Sequence, residues 1–482
     1  MTLGERVRNA IDPDRALQAI MTSLVEAAGI KYALDIDQVS YRAGRPFKLL
    51  LVGYVGTRNT GADLRSEEIV RQFRTLFGDR NFDLSIVTLD PRLTAGYFRT
   101  ARQVHMPMIF PKFLYQECQK YHGVVACEGS MFKSKFANSL SIMMASALGM
   151  SSAAGKLSVG YGGEAGEMVP ALRDFVRKQC SQSLIICRNQ PSREILEAMG
   201  IRTKGGTDTA WTFEPAPLTV GRDILAKHGW DGRKRVLAVC PINPFWWPVK
   251  PDVVKALAKR FGGQFNREHY QALYFHHWSE ETAERFERYL DGLAYAINGF
   301  SADRAVFPIL IGMEQLDREA CERLRDKLDV APPLFISDRY NMYEMVSILH
   351  NCALVLSSRF HAIVTSMTAF VPSAGVTMDE RIRTLMNDRG HRNLLVEVDA
   401  EDLGEEALVA LRRLDRDREA ISHEIKAFIP SQLKLMGQMG IDLEDEVCRV
   451  YPDFSRRDVP RSWEHYLPRL PLALQGLLEG RS

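Results

Sequence analysis

Short apolar runs alternate with longer amphipathic segments along most of the chain. The run 47–53, Phe-Lys-Leu-Leu-Leu-Val-Gly, is almost continuously hydrophobic, which is typical of a strand buried on both faces of a parallel sheet. A polar loop over 54–63 follows it, and Ile69, Phe73 and Leu76 then recur at helical spacing over 66–77. The pattern therefore predicts a strand, a polar loop and a helix in succession.

The same alternation continues to about residue 220 and then restarts. In the first half the predicted strands are 84–89, 124–127, 157–161 and 183–187, with helices over 138–148, 170–180 and 192–199. In the second half the predicted strands are 235–240, 305–311, 334–337, 353–357 and 394–398, with helices over 252–261, 317–328, 342–350 and 360–369. Strands that alternate with helices indicate parallel sheets joined by right-handed crossovers. We therefore predict an α/β chain with two Rossmann-like parallel-sheet domains that face a cleft.

The two ends of the chain lie outside this alternation. Apolar residues at helical spacing predict a helical N-terminal extension over 1–45, and charged helical segments followed by a tail predict C-terminal helices and tail over 401–482. The Rossmann-like domains then cover 46–220 and 221–400, and 269–300 resembles an insertion in the second of them. A chain of 482 residues has room for these units.

Composition narrows the function classes. The net charge of +2 argues against a general nucleic-acid binder, and 46% hydrophobic residues argue against wholesale disorder. The eight cysteines form no CxxC or zinc-finger spacing, and the histidines of His276-His277-Trp278 lack a third ligand, so we expect no metal site. The N-terminus has no signal-peptide pattern, and the most hydrophobic helical segment, 140–150, is too short for a transmembrane segment. We expect a cytoplasmic protein.

The loop after the first predicted strand is a candidate binding site. Gly56 and Gly61 allow close approach of a ligand to the backbone, and amides ahead of a helix attract anions. Asn59 and Asp63 have side chains that bind sugar hydroxyls or fix the loop. The spacing matches neither a Walker A motif nor GxGxxG. A tight turn with Asp63 as a helix cap is the structural alternative.

The segment 354–364 is the strongest candidate site by residue chemistry. A predicted buried strand ends in Ser357 and Ser358, and Arg359 and His361 follow at the start of a helix, the edge where open α/β sheets bind ligands. Ser358 and Arg359 suit a carboxylate or phosphate, and His361 exchanges a proton near neutral pH. A core-facing histidine beside a surface arginine is the structural alternative.

A second cation follows at the next junction of this kind. Arg381 lies 381 − 361 = 20 residues after His361, again where a predicted loop meets a helix. Near His361 it would help to bind a multiply charged anion, whereas a solvated pair of Glu380 with Arg383 is the alternative.

Trp246 and Trp247 follow the first strand of the second half, and indoles in such a loop stack on sugars, although core packing is their commoner role.

These segments together resemble the polysaccharide pyruvyl transferase family over about residues 47–400. The resemblance rests, in order along the chain, on the glycine and asparagine loop 53–63, Glu128-Gly129-Ser130, the run Arg188, Ser192, Gly200-Ile201 and Asp208, the motif Ser358-Arg359-Phe360-His361, and Asp379-Glu380-Arg381. The Arg-x-His segment is its most specific part.

The resemblance implies a GT-B-like fold and transfer of the pyruvyl group of phosphoenolpyruvate onto two sugar hydroxyls, with release of phosphate. It implies that His361 is the general acid and that Arg188, Arg359 and Arg381 bind the donor, with Arg381 at a position where relatives often carry lysine. No cofactor is then needed beyond phosphoenolpyruvate as donor substrate. The acceptor would be a saccharide of exopolysaccharide or cell-envelope biosynthesis, and lipid-linked and nucleotide-linked acceptors, as well as an oligomeric assembly, stay open.

Two other functions fit the same pattern. A GT-B glycosyltransferase would use this two-domain cleft for a nucleotide sugar, with the region 359–361 at the diphosphate. A non-catalytic relative would bind an anionic sugar in the cleft without turnover.

Overall fold

Two parallel β-sheets, one in each half of the chain, carry the fold. The structure is a computed structural model, and it describes residues 12–36, 39–262, 269–271 and 273–480. We call the halves the N-lobe and the C-lobe. The N-lobe sheet contains β1 (Phe47–Val52), β2 (Phe82–Thr88), β3 (Arg102–His105), β4 (Gly123–Ala126), β5 (Leu157–Gly163), β6 (Leu184–Cys187) and β7 (Arg202–Gly205). Their order is β3-β2-β1-β4-β5-β6-β7, and every neighbouring pair is parallel.

Helices cover the N-lobe sheet between these strands. They are α1 (Pro13–Ala33), α2 (Thr60–Phe77), α3 (Pro111–Cys118), α4 (Asn138–Ala153), α5 (Pro170–Gln179) and α6 (Gln190–Glu197), and a short 3₁₀ helix covers Thr209–Thr212. The central strand β1 is hydrophobic because it lies between helices on both faces. Asn59 caps α2: its side chain accepts a hydrogen bond from the backbone nitrogen of Ala62 at 3.2 Å.

The C-lobe sheet repeats this plan. It contains β8 (Arg235–Cys240), β12 (Val306–Gly312), β13 (Leu334–Ile336), β14 (Leu354–Ser357), β15 (Ser373–Thr377) and β16 (Leu395–Glu397), in the parallel order β13-β12-β8-β14-β15-β16. A small antiparallel sheet of β9 (Lys250–Pro251), β10 (His269–Gln271) and β11 (Tyr274–Phe275) projects from the crossover between β8 and β12.

The C-lobe helices surround its sheet, and the last long helix leaves it. The helices are α7 (Leu218–Lys227), α8 (Val253–Gly262), α9 (Glu280–Asp303), α10 (Arg318–Arg325), α11 (Met342–His350), α12 (Phe360–Met367), α13 (Glu380–Asp388), α14 (Leu403–Arg416), α15 (Arg418–Val450) and α16 (Leu472–Leu478). Helix α15 packs on β5 and β7, so it returns the C-terminal tail to the N-lobe. Within the described ranges, the helices are all too short or too polar to cross a membrane.

The structure corrects several predicted elements. The polar loop predicted through residue 63 ends earlier, since α2 begins at Thr60 and not at residue 66. Strands β3, β7 and β15 were missed: β3 and β7 are short, polar edge strands, and β15 reads Ser-Ala-Gly-Val-Thr, without a long apolar run. The stretch 269–300, predicted as an insertion, carries β10, β11 and most of α9 in its described part.

The domain boundaries stay predictions, and one of them crosses an observed element. The proposed division at 220/221 lies inside α7, which packs on α11 of the C-lobe. The predicted N-terminal extension contains α1, which packs on α4, while residues 1–11 lie outside the described part.

Candidate functional site

The carboxyl ends of the two sheets meet across a cleft. The backbone nitrogen of Thr60 donates a hydrogen bond to the carbonyl oxygen of Met313 in the opposite lobe at 2.8 Å. Beside it, Nδ2 of Asn59 donates to Oε2 of Glu314 at 3.1 Å. Open α/β sheets bind ligands at this edge because loops from several strands converge there.

His361 lies in the first turn of α12, directly after β14, and faces the N-lobe. Its Nε2 is 3.4 Å from Oδ2 of Asp208, and this nitrogen is buried without an aligned hydrogen bond from any described residue. The side chain as a whole is 16% exposed, so the ring is open to solvent at another edge. A Cβ atom on Gly61 would lie 2.2 Å from Nδ1 of the ring, so the ring packs directly on Gly61 and only glycine leaves room for it.

Asp208 is the centre of a buried charge cluster in the N-lobe. Its Oδ2 accepts hydrogen bonds from Nε of Arg65 at 2.9 Å and from Nη1 of Arg188 at 3.1 Å. Arg65 also donates to the carbonyl oxygens of Cys127 at 3.0 Å and Gly162 at 2.6 Å, which fixes it to the ends of β4 and β5. Asp208 thus presents a well-anchored negative charge to His361.

The pKa values in this cluster follow from burial and the two guanidinium groups. Burial alone would raise the pKa of Asp208, but Arg65, His361 and Arg188 together hold it well below its usual range. Burial lowers the pKa of His361 below its ordinary 6.5; Asp208 opposes that shift, and Arg65 and Arg188 add to it. The ligand-free site therefore favours a neutral imidazole beside an ionised carboxylate.

Arg188 is buried at the end of β6. Besides Asp208, it contacts the carboxylate of Glu164, and its guanidinium lies 4.7 Å from the ring centre of Phe360 in the C-lobe. Burial lowers its pKa to about 10, and Asp208 partly offsets the shift. Arg188 therefore lies in the predicted region, already paired with two carboxylates.

Arg359 lies at the N-cap position of α12 and faces the cleft. Its Nε donates to Oδ2 of Asp317 at 2.8 Å, and its Nη2 donates to Oε2 of Glu314 at 3.1 Å. Among the described residues none accepts a hydrogen bond from Nη1. Burial raises the pKa of Glu314 to about 7, and Arg359 only partly opposes the shift. Arg359 thus has Nη1 available for a ligand, and the carboxylate of its partner Glu314 is protonated near neutral pH.

Arg381 lies in the first turn of α13. Its Nε donates to both carboxylate oxygens of Asp379, at 2.8 and 3.1 Å, and its guanidinium lies 4.7 Å from the ring centre of Phe136 in the N-lobe. Lys133 lies nearby, with Nζ 3.1 Å from Glu164 and 2.7 Å from Glu380. Arg381 therefore contributes a second guanidinium to the cleft, and Lys133 adds a buried ammonium.

The predicted loop residues divide between the cleft and the interior. Gly56 and Asn59 line the cleft, and Gly56 has φ +91°, a conformation that favours glycine. Asp63 is buried and accepts a hydrogen bond from the backbone nitrogen of Gly56 at 3.4 Å, so it fixes the loop instead of capping α2. Ser358 is buried too, and its Oγ lies 2.8 Å from the hydroxyl of Tyr289 inside the C-lobe.

A cavity of about 790 Å³ extends from Arg359 and Arg381 along the cleft towards the loops that follow β2 and β3. Carboxylates of Glu128 and Glu314 lie on its polar side. Its other walls are mostly aromatic and aliphatic; the aromatic ones are Tyr54, Phe110, Phe136, Trp246, Trp247, Tyr270 and Tyr274. A cavity of this size and mixed lining suits an organic ligand larger than a three-carbon acid.

The aromatic wall is held together by ring contacts. Trp246 stacks on His276 with ring centres 3.9 Å apart, and Trp247 contacts Phe136 edge to face at 5.2 Å. His276, predicted in a polar loop, is instead buried in this wall, and burial lowers its pKa to about 3. The two indoles therefore both line the cleft and pack against neighbours.

A comparison with protein-family models identifies the chain. The model described as polysaccharide pyruvyl transferase matches residues 59–380, which include the cleft residues from Asn59 to Glu380.

The chain belongs to the polysaccharide pyruvyl transferase family and is a transferase.

Several solved structures are similar to this family member. The structure of Anabaena HepE in complex with UDP-glucose matches it at a TM-score of 0.51 and 11% identity, over 84% of this chain and 100% of HepE. The UDP-GlcNAc 2-epimerase of Neisseria meningitidis, solved with UDP-GlcNAc, has a TM-score of 0.46 at 11% identity, over 79% of this chain and 94% of its own. ADP-heptose lipopolysaccharide heptosyltransferase II of E. coli gives 0.39 at 12% identity, over 77% and 100%. The match to HepE confirms the predicted two-domain, GT-B-like fold. No curated protein matches the chain.

Sequence reasoning missed the residues that pair with the predicted ones in this pyruvyl transferase family member. Arg65 was hidden because the start of α2 was predicted too late, although an arginine in the first two turns of a helix after a glycine loop was a usable signal. Glu314 and Asp317 follow β12 at the same sheet edge as Arg359 and could have been found by that rule. Lys133 follows no predicted strand directly, and no sequence signal indicated it.

Proposed function

We propose that the chain transfers the pyruvyl group of phosphoenolpyruvate onto two hydroxyls of a glycan, forming a cyclic ketal. The observation that carries this proposal is the position of four residues from three strand ends of two sheets. Arg359 and Arg381 line the interlobe cavity, and His361 and Arg188 lie at the contact between the lobes. The family membership agrees with such a reaction.

Donor binding needs cations whose present partners can be released. Phosphoenolpyruvate carries a carboxylate and a phosphate, which bind most strongly to paired guanidinium nitrogens. Arg359 offers Nη1, and its partner Glu314 has a pKa of about 7, so protonation near neutral pH weakens one of the two contacts of Nη2, while Asp317 keeps the other. Arg381 lines the same cavity. The donor would therefore lie between these arginines, next to His361.

The transfer begins with a proton from His361. The imidazolium N–H bond breaks as a C–H bond forms at the methylene carbon of the enol, which leaves the adjacent carbon electrophilic. One acceptor hydroxyl adds to that carbon, the bond to the phosphate oxygen breaks, and the second hydroxyl adds. The two hydroxyl protons balance the one gained by the methyl group and the one that leaves with phosphate. A bound donor anion would favour the imidazolium, which burial disfavours.

The large cavity is the proposed place of the glycan acceptor. Indole and phenol rings stack on the apolar faces of sugars, and carboxylates accept hydrogen bonds from sugar hydroxyls. Trp246, Trp247 and Tyr270 supply the rings, and Glu128 and Glu314 supply the carboxylates beside Arg359. An acceptor in this cavity would direct its hydroxyls to the donor.

The test is phosphate release from phosphoenolpyruvate with candidate saccharides, together with a mass gain on the saccharide. We expect His361→Gln to reduce the rate by about 10²-fold or more, as loss of a general acid does. His423→Gln, at an exposed position on α15, is the matched control and should keep the wild-type rate. No phosphate release with any acceptor, combined with thermal stabilisation by UDP-glucose but not by phosphoenolpyruvate, would favour a nucleotide-sugar transferase.

A further inference from the structure

We infer that Asp208 is the positioning residue of His361: it holds the buried Nε2 of the ring and leaves Nδ1 as the nitrogen that meets the donor. Arg65 in turn holds Asp208. This inference rests on the proposed role of His361 as proton donor, and it adds the identity of the reacting nitrogen and of the two residues that select it.

The two nitrogens of His361 have different surroundings. Nε2 is buried and lies 3.4 Å from Oδ2 of Asp208. Nδ1 is not fully buried in this way, and it packs on the backbone of Gly61, where a side chain would exclude the ring. Since Nε2 is enclosed and the side chain keeps some exposure, a ligand reaches the ring from the side of Nδ1. The geometry therefore distinguishes a structural nitrogen from a reactive one.

Arg65 fixes the carboxylate against the rest of the N-lobe. Its three hydrogen bonds join Asp208 to the carbonyl oxygens of Cys127 and Gly162, and its side chain is almost completely buried. The other oxygen of Asp208 accepts a hydrogen bond from the backbone nitrogen of Ala210 at 2.9 Å. With both oxygens held, the carboxylate has one orientation, and that orientation faces His361.

The pair joins the two lobes. Asp208 and Arg65 belong to the N-lobe, whereas His361 belongs to the C-lobe on α12, which packs on α2 and on the 3₁₀ helix after Asp208. The charged groups facing the ring across this contact are Asp208, Arg65 and Arg188. His361 therefore has its orienting carboxylate only while the lobes are in contact, which couples proton transfer to the closed cleft.

The chemical consequence concerns the proton on each nitrogen. A carboxylate beside Nε2 favours the neutral tautomer with hydrogen on Nε2, because only that tautomer donates to it. On protonation, hydrogen is added at Nδ1. Transfer of this second hydrogen to the donor then returns the ring to the tautomer that Asp208 stabilises. Arg188 donates a hydrogen bond to the same oxygen of Asp208 that faces His361. A donor anion that draws Arg188 away from this oxygen would therefore strengthen the attraction between Asp208 and the imidazolium.

The direct test uses the wild-type protein without donor. Imidazole ¹⁵N chemical shifts identify the tautomer of each histidine, and His361→Gln, prepared only for assignment, identifies the signals of His361. We expect the neutral ring to carry its hydrogen on Nε2. A neutral ring with hydrogen on Nδ1 would overturn the inference. Because no donor or acceptor is present, this result does not depend on whether phosphoenolpyruvate is a substrate.

Asp208→Asn tests the effect of the carboxylate on the ring. The pKa of His361, followed by NMR, should fall, because a negative charge that favours the imidazolium is lost. With donor and acceptor present, kcat of Asp208→Asn should fall about 10²-fold. Its rate should also begin to decline at a lower pH than the wild-type rate does, because the pKa of His361 is lower. Asp208→Glu, which keeps the carboxylate, should restore part of the rate. An unchanged pKa of His361 in Asp208→Asn would contradict the inference.

A matched control separates positioning from stability. Glu446 is also a buried carboxylate, and it pairs with Arg202 at 2.7 Å and Arg449 at 2.9 Å, away from the cleft. Glu446→Gln should cost stability in the same way as Asp208→Asn but leave the tautomer and the pKa of His361 unchanged. Equal changes in both variants would show that Asp208 acts only through the fold.

Gly61→Ala tests whether the reaction depends on the position of the ring. The added methyl group would lie 2.2 Å from Nδ1 and collide with the ring, so we expect kcat/KM to fall more than about tenfold, with displaced NMR signals of His361. Gly205→Ala is the control, since its nearest neighbour, Nη1 of Arg193, would lie 3.7 Å from the new Cβ. Wild-type activity together with displaced His361 signals would contradict the inference, because the reaction would then not depend on how the ring is held.

Discussion

Asp208 and Asp63 are both buried, but the pKa values of their carboxylates shift in opposite directions. Asp208, beside Arg65 and Arg188, has its pKa held well below the usual range. Asp63 is equally buried, but its aligned contact is a single backbone N–H, and burial raises its pKa to about 7. Protonation of Asp63 is therefore coupled to folding.

The raised pKa of Asp63 predicts a pH-dependent stability difference. The folded state binds the proton more tightly than the unfolded state, so the contribution of Asp63 is fully present below about pH 4 and is lost as pH rises to about 7. Asp63→Asn has no carboxyl group to ionise, so the variant does not lose stability at this position as pH rises. We expect the variant to be more stable than wild type by about 2–4 kcal/mol at pH 8.5, with a much smaller difference at about pH 4.5, measured by urea unfolding.

The control for this experiment is Asp174→Asn, which changes an exposed carboxylate on α5. It should show no such dependence on pH. A stability difference for Asp63→Asn that stays the same at both pH values would mean that Asp63 is not protonated in the folded protein.

At the level of elements, α2 connects the cleft to the far side of the N-lobe. Its first two turns carry Gly61 and Arg65 to His361 and Asp208. About two turns further along α2, the buried Gln72 donates from Nε2 to the carbonyl oxygens of Met436 and Tyr466, both at 2.9 Å. The C-terminal segment is thus held against the helix that positions the site.

Gln72→Leu should weaken this connection. Two carbonyl oxygens and the hydroxyl of Tyr161, which donates to Oε1 of Gln72 at 2.8 Å, would lose their partner inside the protein. We expect a loss of about 2–4 kcal/mol in the free energy of unfolding, measured with urea, because buried polar groups without hydrogen bonds are costly. Gln438→Leu, at an exposed position on α15, should cost less than about 0.5 kcal/mol. Equal effects of the two substitutions would exclude this role of Gln72.

The elements also show what the sequence reveals and what it does not. Central strands such as β1 and β8 were predicted within a residue, because burial on both faces requires continuous apolar runs. The edge strands β3 and β7 were missed, since half-exposed strands have no such run. The site residues divide in a similar way. His361, Arg359 and Arg381 follow strands and could be predicted from that position. The pairing of Asp208 with Arg65 could not, because it depends on contacts between distant segments.

On the scale of the whole molecule, the lobes are joined at the cleft by direct bonds. Three backbone N–H groups donate to acceptors on the opposite lobe: Thr60 to the Met313 carbonyl at 2.8 Å, Val249 to the Phe136 carbonyl at 2.8 Å, and Met342 to the Tyr97 hydroxyl at 2.8 Å. Lys133 and Glu380 add a charged pair at 2.7 Å across the same cleft. In this arrangement the arginines of the cleft pair with the protein's own carboxylates. Donor binding therefore competes with these internal pairs.

Glu380→Gln should shift this balance toward the open cleft. The amide still accepts a hydrogen bond from Lys133 but no longer carries the opposite charge, and a partly exposed ion pair contributes about 0.5–1 kcal/mol. An opening equilibrium shifted by that amount changes about twofold to fivefold. We expect the amides of Thr60, Val249 and Met342 to exchange with deuterium faster by this factor, while the amides of the central strand β1 keep their rates. Glu397→Gln breaks a pair with Arg383 on the C-lobe surface and serves as the control, with unchanged exchange at all three amides. If both variants exchange like wild type, the charge pair does not hold the lobes together.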